Sequence, residues 1–222
     1  MTSSEISILP INNTPLPKEV LNQKILMKEK NIRAVYEENI ITVYQAYRSA
    51  IAHPAVQHQK FVPPFKMERM TWIKPSFLWM MYRCGWAEKE GQEHVLAIKI
   101  KREGWEWALK NSCLSHFIKD IHLSQEAWKT SLQNSPVRIQ WDPEKDIHLN
   151  NLPYRSIQMG LTGIAVEKYV NEWIVEIEDI SEKCKHIHLL INKNKIEEAI
   201  QLLPQEKVYP LPEDLKAIID AS

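Results

Sequence analysis

The stretch from Met70 to Trp86 does most to narrow what this chain can fold into, because its hydrophobic period changes partway along. Met70-Thr71-Trp72-Ile73 reads as a short strand that stops at Pro75-Ser76. Beyond it Phe77, Met80, Met81 and Cys84 recur at helical spacing as far as Gly85. Ser76 stands where a helix N-cap belongs, since its hydroxyl can accept from the first free amides. A strand that runs straight into an amphipathic helix implies that sheet and helix share one core. Just upstream, Phe61-Val62-Pro63-Pro64-Phe65 reads as a rigid polyproline-like connector, because each proline fixes its own φ and restrains the residue before it.

The remaining segments mix the two periods without a βαβ rhythm. Ile32 to Tyr47 predicts a strand pair or one long bent strand, clearest at Ile40-Ile41-Thr42-Val43-Tyr44, and Ala46 to Gln59 predicts a helix broken by Pro54. Val95 to Ile100 reads as a strand and Trp105 to Phe117 as an amphipathic helix. Val137 to Trp141 reads as a strand ended by the turn Asp142-Pro143-Glu144. Leu161 to Glu172 looks helical, Trp173 to Glu178 alternates as a strand, and helices are expected near Glu182 to Ile191 and Lys195 to Leu203. The fold class expected is α+β, with a mixed, mainly antiparallel sheet flanked by helices. Its 222 residues, 44% of them hydrophobic, suffice for one sizeable core. That single domain is expected over residues 26–212, with a poorly ordered arm over 1–25 and a tail over 213–222.

The 28 basic and 28 acidic residues cancel, so no whole-chain attraction to nucleic acid or membrane is expected and a charged partner must be met locally. Without a secretory leader pattern or a long uncharged apolar run, the expected location is the cytoplasm, away from membranes. Cys84, Cys113 and Cys184 lack CxxC spacing, which suits reduced, buried thiols. His186-x-His188 and the pair His116 and His122 lack a third ligand at recognisable spacing, so no metal is expected.

Chemistry concentrates between Phe61 and Trp86. Lys66, Arg69, Lys74 and Arg83 face only Glu68, interleaved with Phe65, Trp72, Phe77, Trp79, Tyr82 and Trp86. Rings that stack on bases and cations that meet phosphates suit a nucleotide, a dinucleotide or a single nucleic-acid strand. Lys66 and Lys74 are also candidate nucleophiles for a nucleotidyltransferase or ligase, although no K-x-D-G segment accompanies them. Arg155-Ser156-Ile157-Gln158, ahead of Gly160, Gly163 and a helical segment, reads as an anion-binding turn at a helix N-terminus.

A family resemblance rests on specific blocks: Arg33-Ala34-x-Tyr36, Val43-Tyr44-Gln45-Ala46-Tyr47, Phe61-Val62-Pro63-Pro64-Phe65-Lys66, Arg69 to Arg83, Gln140-Trp141-Asp142-Pro143 and Pro153 to Gln158. Together they resemble the family catalogued as domain of unknown function family 4291, from about Ile32 to Pro210. The name implies no activity. The order of a strand bearing Gln45, a strand-to-helix turn bearing Ser76-Phe77 and a late strand bearing Glu176 and Glu178 is also similar to the ADP-ribosyltransferase fold. That fold usually presents His or Arg at the first place, where this chain has Gln45.

The candidate catalytic residues are Gln45, Glu176 and Glu178, from the order shared with that fold, and Lys74, from its lysine chemistry. The candidate substrate-binding residues are Arg33, Tyr36, Tyr47, Lys66, Arg69, Trp72, Ser76, Phe77, Arg83, Arg155, Ser156 and Gln158. The reaction expected is a glycosyl or ADP-ribosyl transfer using NAD, in which a carboxylate steadies an oxocarbenium-like state. The alternatives are a lysine-nucleophile nucleotidyltransferase or ligase, or a non-catalytic binder of single-stranded nucleic acid.

Overall fold

The computed structural model describes residues 29–222, so the arm expected over residues 1–25 lies outside the described residues. In chain order the strands are β1 (Arg33–Ala34), β2 (Ile40–Tyr47), β3 (Thr71–Ile73), β4 (His94–Lys101), β5 (Ser112–Leu114), β6 (Val137–Lys145), β7 (Asn151–Leu161), β8 (Ile174–Asp179) and β9 (Lys207–Val208). The helices are α1 (Ser49–His58), α2 (Phe77–Cys84), α3 (Arg102–Lys110), α4 (Gln125–Asn134), α5 (Ile164–Lys168), α6 (Ser181–Asn192), α7 (Ile196–Leu202) and α8 (Glu213–Ile219). A π-helical turn, Tyr169–Trp173, joins α5 to β8.

The fold is α+β, built on a three-stranded sheet ordered β2-β4-β8 and a four-stranded sheet ordered β3-β7-β6-β5, with β1 and β9 as a short ribbon. Every pairing between these strands is antiparallel except β5 with β6. The two larger sheets meet where Tyr44 and Lys74 exchange backbone hydrogen bonds of 2.7 and 3.4 Å. The core between them is aliphatic and aromatic, including Ile41, Val43, Ile73, Ile98, Trp105, Ile157 and Met159. A second apolar cluster lies under α2 and α6, where Phe77, Met80, Met81 and Cys84 meet Tyr44, Cys184 and Ile187. All three cysteines are free and buried, and no described helix is long and apolar enough to cross a membrane.

Local rules hold best around α2. Trp79 N–H donates to Ser76 Oγ (3.2 Å) at one end, and Gly85 closes the other in the left-handed region at φ 58°. Several expectations are corrected where packing overrides local pattern. Pro54 does not break α1, which stays continuous and buries Ala52 and Ala55 on either side of it. Phe61 to Phe65 turns back on itself instead of running extended: Phe65 N–H donates to Val62 O (3.0 Å) and the two phenyl rings stack at 4.5 Å.

The helix expected as far as Phe117 ends at Lys110, and Cys113 and Leu114 join β5. The turn expected at Asp142-Pro143-Glu144 is a continuation of β6. Proline is tolerated there because β5 covers only Val137 to Ile139, leaving the Pro143 side of β6 as an open edge. Arg155 to Gln158 is not a turn before a helix, since it lies inside β7, where it pairs with β6 and the Arg155 N–H donates to Glu29 O at 2.9 Å. Residues 213–222 contain α8, with Leu215 and Ile219 in the main core.

Candidate active site

Paired strands send directly opposed side chains to one face, and alternate residues of a strand share it. The pairings Trp72↔Gly160, Gln140↔Gln158 and Asp142↔Ser156 therefore put Trp72, Gln140, Asp142, Ser156 and Gln158 on one face of the four-stranded sheet. Its opposite face, with Ile139, Ile157 and Met159, lies in the core. Lys74 follows two residues after Trp72, at the end of β3. The N-terminus of α2 borders the same face. A β-carbon on Gly160 would come within 3.0 Å of the Trp72 ring, so the glycine is what lets the indole lie across β7.

The groups on this face are closely coupled. Ser76 Oγ and the Lys145 N–H both donate to Glu144 Oε1, each at 2.8 Å. Phe77 N–H donates to Glu206 Oε1 at 2.7 Å, so two acids crowd the positive end of α2. Gln158 Nε2 and Gln140 Nε2 donate to the two oxygens of Asp142, at 2.6 and 2.9 Å. Arg33 lies over the Tyr154 ring at 4.9 Å, and its Nε is buried without a hydrogen-bond partner among the described residues. Lys145 Nζ sits 3.5 Å from the centre of the Tyr82 ring.

Proton affinities here are displaced. Burial, reinforced by the Arg83 charge and opposed by Asp142, pushes the Lys74 amine down to about 7. Its Nζ lies 4.9 Å from the Trp79 ring centre and forms no ion pair among the described residues, Asp142 acting on it only at longer range. Burial also pushes Glu206 up to about 8, helped by the charge of Glu144 and opposed by the Phe77 amide and Arg33. Glu144 is raised by burial against hydrogen bonds from Lys145, Ser76 and Ser156. Buried ionisable groups with displaced proton affinities of this kind mark candidate functional sites.

Of the residues singled out in the sequence, Trp72, Lys74, Ser76, Ser156 and Gln158 meet on this face, Arg33 reaches it through Tyr154, and the exposed Arg83 acts on Lys74 by charge. The others are elsewhere. Gln45 is buried in a closed network: its Nε2 donates to Tyr47 Oη (2.9 Å), Thr71 Oγ1 (2.8 Å) and Trp72 O (3.1 Å), and its Oε1 accepts from Tyr169 Oη (2.8 Å). Tyr47 belongs to that network, its hydroxyl pushed up to about 12 by burial. Phe77 is core, packed edge-on against Tyr44 and Trp86.

Tyr36 lies beside Tyr209 and donates to Val208 O. Arg155 Nη1 donates to Trp141 O at 3.0 Å, and Lys66 and Arg69 are exposed. Glu176 pairs with Lys99 at 2.7 Å in the open, and Glu178 is exposed on the same strand. Two surface clefts, one at Ile32 and Leu211 and one at Trp107 and Trp173, include no residue of the polar face.

Sequence reasoning missed Glu144, Lys145 and Glu206. Glu144 and Lys145 are hidden by Pro143, which suggests a turn, and Glu206 reaches Phe77 across 129 positions of sequence. Among curated proteins none matches the chain. The family described as domain of unknown function (DUF4291) matches residues 31–209, and that span takes in every element from β1 to β9 and the whole polar face. The chain belongs to that family.

Proposed function

We propose that the protein is an enzyme acting on a nucleotide-containing substrate laid across this face, with Lys74 as its nucleophile. The feature that carries the reading is the Lys74 amine, which is buried, forms no ion pair among the described residues and is pushed down to about 7 by that burial. Such an amine keeps a usable lone pair at neutral pH, whereas an ordinary exposed lysine does not. Trp72 offers a flat ring for a base. Attack by Nζ on the α-phosphorus of a nucleoside triphosphate forms a P–N bond while the P–O bond to pyrophosphate breaks, and the surplus amine proton passes to solvent. The nucleotide is then passed to an acceptor hydroxyl or phosphate.

A second reading, glycosyl transfer from NAD, is favoured by one observation. Glu144, held by Ser76, lies on the same face as Trp72, so a carboxylate, a hydroxyl and a stacking ring are together. The test incubates the protein with nucleoside triphosphates labelled at the α-phosphate, and separately with NAD, in the presence of magnesium. Covalent, acid-labile label that is lost in Lys74→Arg supports the first reading. Nicotinamide release that needs Glu144 but survives Lys74→Arg replaces it with the second. Saturable binding of short single-stranded oligonucleotides with no turnover of either substrate would leave a binding protein.

A further inference from the structure

The sequence offers no histidine cluster with metal-ligand spacing, and one member of each histidine pair it does offer is engaged otherwise. His188 stacks on Trp86 at 5.5 Å with its Nδ1 on Glu88, and His122 Nδ1 is bonded to the backbone of Ile118. The fold instead gathers three residues from separate elements: His53 on α1, His94 at the start of β4 and Asp179 at the end of β8. One ligand atom of each lies within 4.8 Å of the others. We infer that His53, His94 and Asp179 form a binding site for a divalent transition-metal ion of the zinc type, separate from the polar face and independent of how that face is read.

The donor set is the first argument. Two imidazoles and one carboxylate suit zinc and its neighbours, whereas magnesium and calcium take oxygen ligands. The second argument is orientation. Asp179 Oδ1 accepts from the Ser181 amide at 2.9 Å and from the Ser181 hydroxyl, which leaves Oδ2 turned toward His94 Nδ1 at 2.8 Å. A ligating carboxylate is commonly steadied in this way by a neighbour that does not touch the ion.

The third argument is reach. The rings of His53 and His94 are 4.5 Å apart and nearly perpendicular. His53 is exposed, so closing from the present separation to the roughly 2 Å metal–nitrogen bonds of a zinc site needs only a side-chain adjustment on its part. Three protein ligands leave a coordination position for water or substrate, which distinguishes this arrangement from a closed four-ligand structural site. The ion would also tie α1 to the three-stranded sheet.

The ordinary alternative is that His94 and Asp179 are only an ion pair, with Asp179 serving the first turn of α6. The two are separated by titrating chelator-treated protein with zinc chloride by calorimetry, with magnesium chloride as control. The expected result is one saturable zinc ion per chain, a raised Tm, and no response to magnesium. His53→Ala alters an exposed side chain that makes no contribution to the ion pair, so it should fold normally and yet weaken zinc binding by at least roughly tenfold. His94→Ala should abolish it. Absence of saturable zinc binding overturns the inference, as does zinc binding that His53→Ala leaves unchanged.

Discussion

The protein encloses two sets of buried polar side chains less than one strand apart, and they differ in how completely their bonds are made. Around Gln45, the two tyrosine hydroxyls, the Thr71 hydroxyl and a backbone carbonyl take up the amide, so the group is closed to outside chemistry. On the other side, the Lys74 amine is buried without an ion pair among the described residues, and past the start of α2 Glu144 and Glu206, both of raised proton affinity, lie within the field of Arg33, whose Nε is an orphan. Saturated buried polar groups stabilise and specify a fold, while unsaturated ones cost stability and persist where they serve something else. Burial alone would not separate these two sets, because Gln45 and Lys74 are almost equally covered.

The sharpest break of this comparison is Lys74→Met. Covalent labelling should fall by at least roughly a thousandfold, as expected for loss of a nucleophile. Stability should move the other way. The folded pKa of Lys74, about 7, lies below its usual 10.5, so between those values the unfolded chain binds the extra proton and wild-type stability rises with pH. At and below pH 7 the full cost of burying the amine is present, and Lys74→Met should raise Tm there. The advantage should shrink as pH climbs toward 10.5. A variant less stable than wild type at pH 7 would place Lys74 with the saturated set.

Gln45→Leu is the converse. It strips the Tyr169 hydroxyl of its acceptor and the Tyr47 and Thr71 hydroxyls of a donor, so it should cost about 2–4 kcal/mol. For a chain of this size that is a Tm lower by roughly 5–15 °C. The folded fraction should keep its labelling rate within about twofold of wild type, judged by active-site titration. A thousandfold loss in protein that is still folded would return Gln45 to the catalytic set.

Trp72→Ala should have a smaller effect, confined to ligand affinity. Loss of one stacking ring weakens nucleotide binding by about 1–3 kcal/mol, or roughly 5- to 150-fold in Kd. Gly160→Ala should reproduce part of that loss, because the added methyl pushes on an indole only 3.0 Å away. If Kd is unaffected in both, the base is not on this face.

Much of this geometry was legible locally. Strand, cap, helix and stop between Thr71 and Gly85 obey rules that act over a few residues, so Trp72, Lys74 and Ser76 could be placed relative to one another from sequence. What those residues meet could not. Glu206 belongs to a stretch with no hydrophobic period, and only the return of the chain past α2 brings it to the Phe77 amide. Pro143 hid Glu144 and Lys145, because the open edge that permits a proline in β6 is a property of the sheet. The partners of Gln45 were hidden as well. A polar residue in an apolar strand reads as functional until its partners are known, and Tyr169 lies 124 positions away.

The smallest expected effect concerns Glu176 and Glu178, whose place on a late strand suggested a catalytic carboxylate. Register sets them opposite Lys99 and Ala97, on the face of β8 away from the buried Ile177. Glu176 spends its charge on Lys99, with both side chains more than two-fifths exposed. An exposed pair of this kind contributes about 0–1 kcal/mol, and its field is screened by salt within about 10 Å. Glu176→Gln and Glu178→Gln should therefore shift Tm by no more than roughly 3 °C and leave labelling by nucleoside triphosphate unchanged. Single-turnover assays of both variants beside Glu144→Gln decide the matter. A carboxylate that steadies developing positive charge costs about a hundredfold or more in rate when neutralised, and that loss should fall on Glu144 if NAD is the substrate. A hundredfold loss in Glu176→Gln or Glu178→Gln instead would move the reacting centre to the three-stranded sheet and leave the Lys74 face as a binding surface.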